Sequence, residues 1–237
     1  MASSQSENVS FHVVPATEAD METAARLVHE AISPTSPIDS LLHPLGMTDG
    51  VFAAAVAGKT QQFRTDGTIY RKVVASRDSS GDDEMVAFTR LYIRAVERNE
   101  SEWNTPFTFT PDEGLEPGEL NVEAANAIFG PIDAMKKKAI RGSRHLYISL
   151  FAASPDWQGK GLGRLLMEDA FSTAKAHGLD TIYLISTESA RPFYAKFDYE
   201  MVDTVTIDLV KLRGGSEGEK TDKPTHASMM LLRKTPV

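Results

Sequence analysis

Three closely spaced glycines give this chain its clearest candidate for chemistry. Gly159, Gly161 and Gly163 lie between an apolar, strand-like segment at residues 145–151 and a helix-like segment that extends to about residue 176. Glycine has no Cβ to block a close approach or to forbid positive φ. The N–H groups and the dipole at a helix start attract anions. The pattern predicts a loop whose backbone amides hold an anionic group.

The spacing excludes two common phosphate-binding loops. A G-x-x-x-x-G-K-[ST] loop needs Lys and Ser or Thr after its last glycine, but Gly163 is followed by Arg164 and Leu165. A G-x-G-x-x-G dinucleotide loop needs a glycine at position 164. A plain strand-to-helix turn stays open as an alternative.

The remaining pattern, Gln158-x-x-Gly161-x-Gly163, resembles the acyl-CoA-binding signature [QR]-x-x-G-x-[GA] of the GNAT superfamily of N-acyltransferases. Together with Pro155 it is similar to that family's P-x-x-[QR]-x-x-G-x-G run. In the family, the loop amides hold the pyrophosphate of the cofactor. The resemblance implies acetyl-CoA as cosubstrate and the cofactor-binding residues Gln158, Gly159, Lys160, Gly161, Leu162, Gly163 and Arg164.

A second motif, Arg191-Pro-Phe-Tyr-Ala-Lys-Phe-Asp-Tyr199, is similar to the family's A-x-x-[FL]-Y-x-K-x-G-[FY] segment, including fungal-type members with Arg-Pro. It departs from the family at Asp198, where glycine is usual, but Asp also tolerates the left-handed conformation. Thr187 replaces an asparagine that bonds the pantetheine arm in many members, and it can still make one hydrogen bond.

Acetyl transfer from a thioester to an amine requires a neutral amine, a stabilised oxyanion and a proton for the leaving thiolate. The resemblance implies that the backbone at Leu150, Phe151, Ala152 and Ala153 pairs with pantetheine and binds the thioester oxygen. It also implies that Tyr194 is catalytic and protonates the sulfur, since a phenol of pKa about 10 is protonated at neutral pH. Packing against the cofactor is the alternative role of this tyrosine.

The general base stays open among Glu97, Glu188 and a water chain. The chain has no cysteine to carry an acetyl group, so we expect direct attack in a ternary complex. The predicted function is acetyl-CoA-dependent N-acetyl transfer to an amine. A non-catalytic acyl-CoA-binding or regulatory domain and an enzyme for longer acyl chains are the alternatives.

The resemblance extends over about residues 9–234 and implies an α+β (α/β) GNAT fold. We expect a single mixed, mostly antiparallel central sheet of about 6–7 strands, splayed at the cofactor strand and flanked by helices. Residues 1–8 are predicted to be a disordered tail and 9–237 a single domain. An irregular insertion at about 97–144 is expected to cover the acceptor site.

Five local expectations can be checked against the structure. A helix over about 48–63 is predicted to turn Phe52, Ala55, Val56, Lys59 and Phe63 to one side. A helix from about 121 is expected to kink or end at Pro131. The lysines at 136–138 are expected to form a solvated helix end, with an anion site as the alternative. A strand is predicted from about 199 to 211. A polar linker is predicted at 214–223.

Composition limits the partners. The 237 residues carry a formal charge of −8, which disfavours nucleic-acid binding. No apolar run approaches the ~20 residues of a membrane span, and residues 1–8 lack signal-peptide features. We expect a soluble, cytoplasmic protein without a metal, acting on a small-molecule or peptide amine. A homodimer is left open.

Overall fold

The structure, a computed structural model, describes residues 9–77, 83–111, 113–213 and 225–232. The predicted tail at 1–8 and the predicted linker at 214–223 lie outside these residues. Within them, no helix is both long enough and apolar enough to cross a membrane.

In the described ranges, seven strands form one sheet in the order β1-β2-β3-β4-β5-β7-β6. The strands are β1 (Val9–Pro15), β2 (Thr68–Arg77), β3 (Asp83–Arg94), β4 (His145–Ala153), β5 (Ile182–Thr187), β6 (Glu200–Ile207) and β7 (Thr225–Leu232). Strands β4 and β5 are parallel, and every other neighbouring pair is antiparallel. The mixed, mostly antiparallel sheet expected from the sequence is therefore confirmed.

Helices cover both faces of the sheet. They are α1 (Met21–Ile32), α2 (Pro37–Leu42), α3 (Asp49–Phe63), α4 (Glu100–Trp103), α5 (Val122–Ile140), α6 (Leu162–Ala176), α7 (Arg191–Ala195) and α8 (Leu209–Leu212). Leu166 and Met167 of α6 pack on one face, whereas α1 and α5 bury Leu27 and Met135 on the other. Because strand side chains alternate between faces, one sheet supports two separate cores.

The helices begin and end where local chemistry satisfies their free backbone groups. Thr17 and Asp20 form a capping box before α1, with the Thr17 N–H 2.6 Å from Asp20 Oδ2. Asn121 caps α5, since its Oδ1 accepts the Ala124 N–H at 2.9 Å. After α6, Gly178 has φ of +59°, and Asp198 has φ of +61°. The left-handed turn expected at Asp198 is therefore present.

The sheet divides at β4. Strands β4 and β5 pair only where Leu146, Tyr147 and Ile148 oppose 182–184, although both strands continue further. The register between β3 and β4 also shifts, because Arg90 opposes Leu150 while Leu91 opposes Ile148. This β-bulge leaves Ser149 as the extra residue and bends β4 away from its neighbour. The two strands thus open a gap in the sheet, as the predicted splay requires.

Pro131 does not end α5. The helix runs from Val122 to Ile140, with buried side chains on both sides of the proline. Proline inside a helix removes one hydrogen bond at a cost of about 3 kcal/mol. The burial of Ile128 and Met135 against the sheet and α2 outweighs that cost.

Two further expectations were wrong. Strand β6 ends at Ile207, because the Asp208 carboxylate accepts the Lys211 N–H at 3.0 Å and starts α8. The buried residues of α3 are Val51, Ala54 and Gly58 rather than the predicted set. Ala54 and Gly58 are small, so they allow α1 and α3 to approach closely. A prediction that follows the spacing of large apolar side chains does not identify such positions.

Candidate functional site

The glycine loop has the conformation that its composition predicts. Gly159 has φ of +77° and Gly161 has φ of +84°, and Gly161 is the N-cap of α6. A Cβ built at either residue meets no atom within 4 Å. These two glycines are therefore required by backbone conformation and leave open space above the loop.

The loop presents free backbone donors. In the described part of the chain, none of the six amide N–H groups from Gly159 to Arg164 donates a hydrogen bond to a protein acceptor. The Leu165 N–H is the first to bond back, to the Gly161 carbonyl at 3.2 Å. Six unpaired N–H groups at the start of a 15-residue helix form an anion-binding surface.

Trp157 anchors the loop to the sheet. Its indole N–H donates to Glu84 Oε1 at 3.1 Å, and its ring meets Phe11 edge to face with centroids 5.6 Å apart. The Lys160 ammonium lies 4.4 Å from the centroid of the same ring. Gln158 Nε2 donates to the Ala153 carbonyl at 3.3 Å and ties the loop to the end of β4. The position of the free amides is thus fixed from two sides.

A cleft of about 1030 Å³, named here the loop cleft, lies over these amides. Residues of the loop, the first turns of α6 and segment 190–198 form its walls. A Cβ added to Gly163 would approach Phe193 Cζ to 2.9 Å, so this glycine lets the loop lie against the aromatic wall. The volume suits a large cofactor.

A second cleft of about 680 Å³, named here the strand cleft, occupies the gap between β4 and β5. Residues 31–38 close one side of it. No described residue of 97–144 lines this cleft. The loop cleft and the strand cleft share three residues, Phe151, Ala190 and Tyr194.

Tyr194 lies where the two clefts meet. Its side chain is 7% exposed and packs against Phe151, Phe193 and Tyr199, with ring centroids 6.1, 5.1 and 6.1 Å away. Burial raises the pKa of Tyr194 to about 12. The hydroxyl therefore keeps its proton at neutral pH and can act as a donor.

The predicted backbone residues of β4 divide between the two clefts. Leu150 lines the strand cleft, Ala153 lines the loop cleft and Phe151 lines both, whereas Ala152 is buried against α1. Thr187 also lines the strand cleft, where its hydroxyl lies 3.1 Å from that of Ser189. Beyond Ile148, the β4 peptide groups directed towards β5 have no strand partner among the residues that the structure describes.

The remaining loop candidates have their own side-chain partners. Leu162 is buried and lines the loop cleft. The Arg164 guanidinium lies at the same cleft and donates to Glu168 Oε1 at 2.7 Å. The Lys160 side chain lines neither cleft, because it lies over Trp157.

The two carboxylates considered as bases lie far apart. Glu188 lines the strand cleft, is 60% exposed and contacts Arg191 at 3.4 Å. Glu97 follows the end of β3 that pairs with His145, whereas the loop follows Ala153 at the other end of β4. That separation removes Glu97 as a candidate base.

Several site residues were not identified from the sequence. Phe193 forms the wall against Gly163, and Ala31, Ile32 and Ile38 close the strand cleft. In the sequence, Pro34 and Pro37 are typical of a chain turn, but they do not indicate which cleft that turn closes. Among the described residues, no group of three His, Cys, Asp or Glu side chains is arranged to hold a metal ion.

Comparisons with known proteins agree with this geometry. Residues 118–208 match a family described as an acetyltransferase (GNAT) domain. That match contains β4, the glycine loop, Tyr194 and β6. No curated protein matches the chain.

Solved acetyltransferases share the fold over nearly the whole chain. A polyamine N-acetyltransferase from Drosophila melanogaster that forms N-acetylagmatine is 14% identical, with TM-score 0.60, over 94% of this chain and 100% of that one. Arylalkylamine N-acetyltransferase 2 from Aedes aegypti is 12% identical, with TM-score 0.61, over 94% and 98%. Mosquito arylalkylamine N-acetyltransferase-like 5b is 14% identical, with TM-score 0.57, over 94% and 99%. At these identities the likeness concerns the fold.

Proposed function

We propose that this chain, which belongs to the GNAT superfamily of acyl-CoA N-acyltransferases, transfers an acetyl group from acetyl-CoA to an amine by direct attack in a ternary complex. The family match supports acyl-CoA-dependent N-acetyl transfer in general. The acetyl donor, the acceptor and the roles of individual residues are our proposal. The resemblance to fungal-type members stays a prediction.

One observation carries the proposal: a buried, protonated phenol joins two clefts that suit the two substrates. The loop cleft offers six free amides to the pyrophosphate of CoA. The strand cleft is open to a second molecule. Tyr194 borders both, so its hydroxyl would lie beside a thioester that reaches from one cleft to the other.

The chemistry follows from these positions. The neutral amine attacks the thioester carbonyl, and the developing oxyanion is stabilised by an unpaired N–H in the opened part of β4. As the C–S bond breaks, the Tyr194 hydroxyl gives its proton to sulfur, and CoA leaves as a thiol. The attacking amine loses its proton to water. Glu188 is the carboxylate that lines the strand cleft and could accept that proton from the water.

The strand cleft favours an amine with an apolar body. Most of its walls are apolar, including Ile38, Ile148, Leu184 and Ile185. Among the described residues that line it, Glu188 is the charged one. A carboxylate in an apolar cleft attracts a protonated amine before it loses its proton. Arylalkylamines, named for one of the structural neighbours, are of this kind, and polyamines, named for another, complete the first panel to test.

The test is release of CoA thiol from acetyl-CoA with an amine panel, measured for wild type, Tyr194→Phe and Tyr199→Phe. Loss of a general acid lowers kcat by about 10²-fold or more, so Tyr194→Phe should do so while CoA affinity stays nearly constant. Tyr199 is the matched control, because it is a buried neighbouring phenol whose hydroxyl has no partner among the described residues. Its variant should keep wild-type turnover.

The pH dependence gives a second readout. The rate should rise with pH as the amine loses its proton. At every pH below about 10 the rate should show no decline, because the Tyr194 hydroxyl, the proposed general acid, has a pKa of about 12 and stays protonated. A falling limb near neutral pH would assign the acid to another group.

Other outcomes identify the alternatives. Binding of CoA without thiol release from any amine would support a non-catalytic, acyl-CoA-binding domain. Faster turnover with longer acyl-CoA thioesters than with acetyl-CoA would assign a longer acyl group. Equal turnover of Tyr194→Phe and wild type would remove the acid role from this residue.

A further inference from the structure

A separate cavity of about 310 Å³ lies at the opposite end of β4 from the glycine loop. It is enclosed by residues 98–108, the last turns of α5 and the beginnings of β4 and β5, and we name it the Arg98 cavity. His145 lines it, and Ala153 ends the same strand at the loop. Eight residue steps of about 3.3 Å separate the two by roughly 26 Å. The Arg98 cavity is therefore outside the site described above.

The walls of this cavity carry an excess of positive charge. Its cationic residues are Arg98, Lys136, Lys137 and Arg141, and its acidic residues are Glu102 and Asp133. This balance is the reverse of that of the whole chain, which has a formal charge of −8. A local excess of cations on an acidic protein attracts anions to this one place.

The two acids are already engaged. Asp133 forms ion pairs with both Lys137 and Lys136, the latter at 3.9 Å. Glu102 Oε2 accepts the Asn99 N–H at 2.8 Å, because it belongs to the capping box of α4. One carboxylate thus serves two ammonium groups, and the other serves a helix start. Neither neutralises Arg98 or Arg141.

Arg98 provides the strongest sign of a missing partner. Its Nε is buried and has no hydrogen-bond acceptor in the described part of the chain. A guanidinium does not lose its proton at any physiological pH, so this donor stays charged. The Arg98 backbone is fixed by its N–H, which donates to the Gly142 carbonyl at 3.0 Å. A charged side chain at a cavity wall whose Nε has no protein acceptor is a place where an anionic oxygen can bind.

The helix dipole explains only part of the cluster. Lys137 lies in the last turn of α5, where cations balance the negative helix end. However, the terminal carbonyls of Lys137, Lys138 and Ile140 already accept hydrogen bonds from Arg141 and Ser143. Arg98 comes from a different segment, beyond β3, and its free donor has no role in ending this helix.

The other walls suggest what accompanies the anion. Trp103, Phe107 and Tyr183 offer aromatic surface. His145 Nδ1 lies 2.7 Å from the Ser143 carbonyl, so this nitrogen carries the ring proton and Nε2 is left as an acceptor. Burial lowers the pKa of His145 to about 4, which keeps the ring neutral. The cavity thus combines fixed cations, flat apolar walls and one acceptor for a hydroxyl.

We propose that the Arg98 cavity binds a small organic anion, a phosphate monoester or a carboxylate on a ring-sized apolar body, at a site separate from the cofactor. The Arg98 guanidinium bonds the anionic oxygens, Arg141 and the Lys136–Lys137 pair add charge, and Trp103 and Phe107 hold the ring. The shared chemistry is an oxyanion with an aromatic or apolar substituent.

Isothermal titration of the full-length chain tests this with phenyl phosphate, benzoate, inorganic phosphate and the neutral benzyl alcohol. Wild type should bind phenyl phosphate or benzoate at one site, more tightly than benzyl alcohol. Arg98→Gln should weaken that binding by about 10-fold or more, because it removes a charge-assisted contact. Whichever of phenyl phosphate and benzoate binds with the higher affinity then identifies phosphate or carboxylate as the preferred anionic group.

Three further variants establish where on the protein the anion binds. Arg26→Gln makes the same charge change at an exposed arginine paired with Glu22 and should bind like wild type. Gly161→Val alters the cofactor loop and should also leave binding of the aromatic anion unchanged. A loss of binding in this variant would instead place the anion at the loop. Arg141→Gln, on the exposed rim, repeats the test if Arg98→Gln does not fold. Undiminished affinity in the cavity variants, or no binding of any anion by wild type, would overturn the proposal.

Discussion

The two ends of β4 collect positive charge in different ways. At the Ala153 end, six backbone N–H groups from one continuous loop have no acceptor in the described part of the chain. At the His145 end, side-chain cations from two separate segments, residue 98 and residues 136–141, surround a small cavity. The loop carries partial charges on neutral peptide groups, so it needs no counter-ion to fold. The cavity carries full charges, and these require partners from the protein or from a ligand.

A glycine near each end shows the same contrast. Gly161 has φ of +84° and no neighbour within 4 Å of a built Cβ, so its conformation serves the exposed amides. Gly142 has φ of +78°, but its Cβ would lie 2.4 Å from the Arg98 carbonyl oxygen and 2.5 Å from Trp103 Cδ1. One glycine therefore keeps a surface open, and the other allows two segments to pack together.

The largest effect is expected from Gly161→Val. A branched side chain at positive φ would displace the loop and cover its amides. Losing two charge-assisted hydrogen bonds of about 1.5–3 kcal/mol each weakens CoA binding by about 10²-fold or more. Gly46→Val is the matched control, since Gly46 has φ of +73° and an equally open surrounding. Calorimetric CoA titration should show a loss only for the first variant, and equal affinities would show that the loop is not the cofactor site.

Gly142→Ala should act on stability instead. Positive φ costs about 1–3 kcal/mol and overpacking a similar amount, so we expect unfolding to become easier by about 2–4 kcal/mol. Urea denaturation measures this change. CoA affinity of the folded fraction should stay at the wild-type value, because the loop is remote. A variant of unchanged stability would mean that 98–103 does not pack on this glycine.

The smallest effect is expected from Lys136→Met. Burial lowers the pKa of the Lys136 ammonium, so the folded protein binds this proton less tightly than the unfolded chain does. The charge therefore opposes folding at neutral pH, and wild-type stability gains as pH rises towards about 10.4. Methionine keeps most of the packing, and the variant should be more stable by about 1 kcal/mol at pH 7.

That advantage of Lys136→Met should shrink as the pH rises towards about 10.4, the ordinary pKa of lysine. Lys138→Met is the control, because this neighbouring lysine is 73% exposed and contacts Asp203 at 2.9 Å. A gain of equal size in both variants, or one that does not depend on pH, would contradict the destabilising role of the buried Lys136 charge.

The loop end could be predicted from the sequence because its determinants are local. Gly161 opens α6 and Gly178 follows its end, and Asp198 adopts the left-handed turn that its side chain tolerates. Each of these features depends on a few consecutive residues. The mixed, mostly antiparallel sheet also followed from the resemblance to the GNAT pattern.

The cavity end could not be predicted because it joins distant parts of the chain. Lysines 136–138 are consecutive, so they point about 100° apart around α5 and meet different partners. Lys136 lies over the Tyr147 ring at 5.4 Å, Lys137 contacts Asp133, and Lys138 contacts Asp203. The predicted solvated helix end therefore holds for Lys138 alone. Pro131 was misleading for a related reason, since tertiary burial outweighed its local preference.

The most direct test of the cofactor site is an amide ¹H–¹⁵N spectrum recorded during titration with CoA. We predict that the resonances of Gly159, Gly161 and Gly163 move as CoA binds, because their N–H groups gain an anionic acceptor. The resonances of Gly46 and Gly142 should stay in place. Saturable CoA binding that leaves the three loop glycines unmoved would contradict the central claim that these amides hold the cofactor.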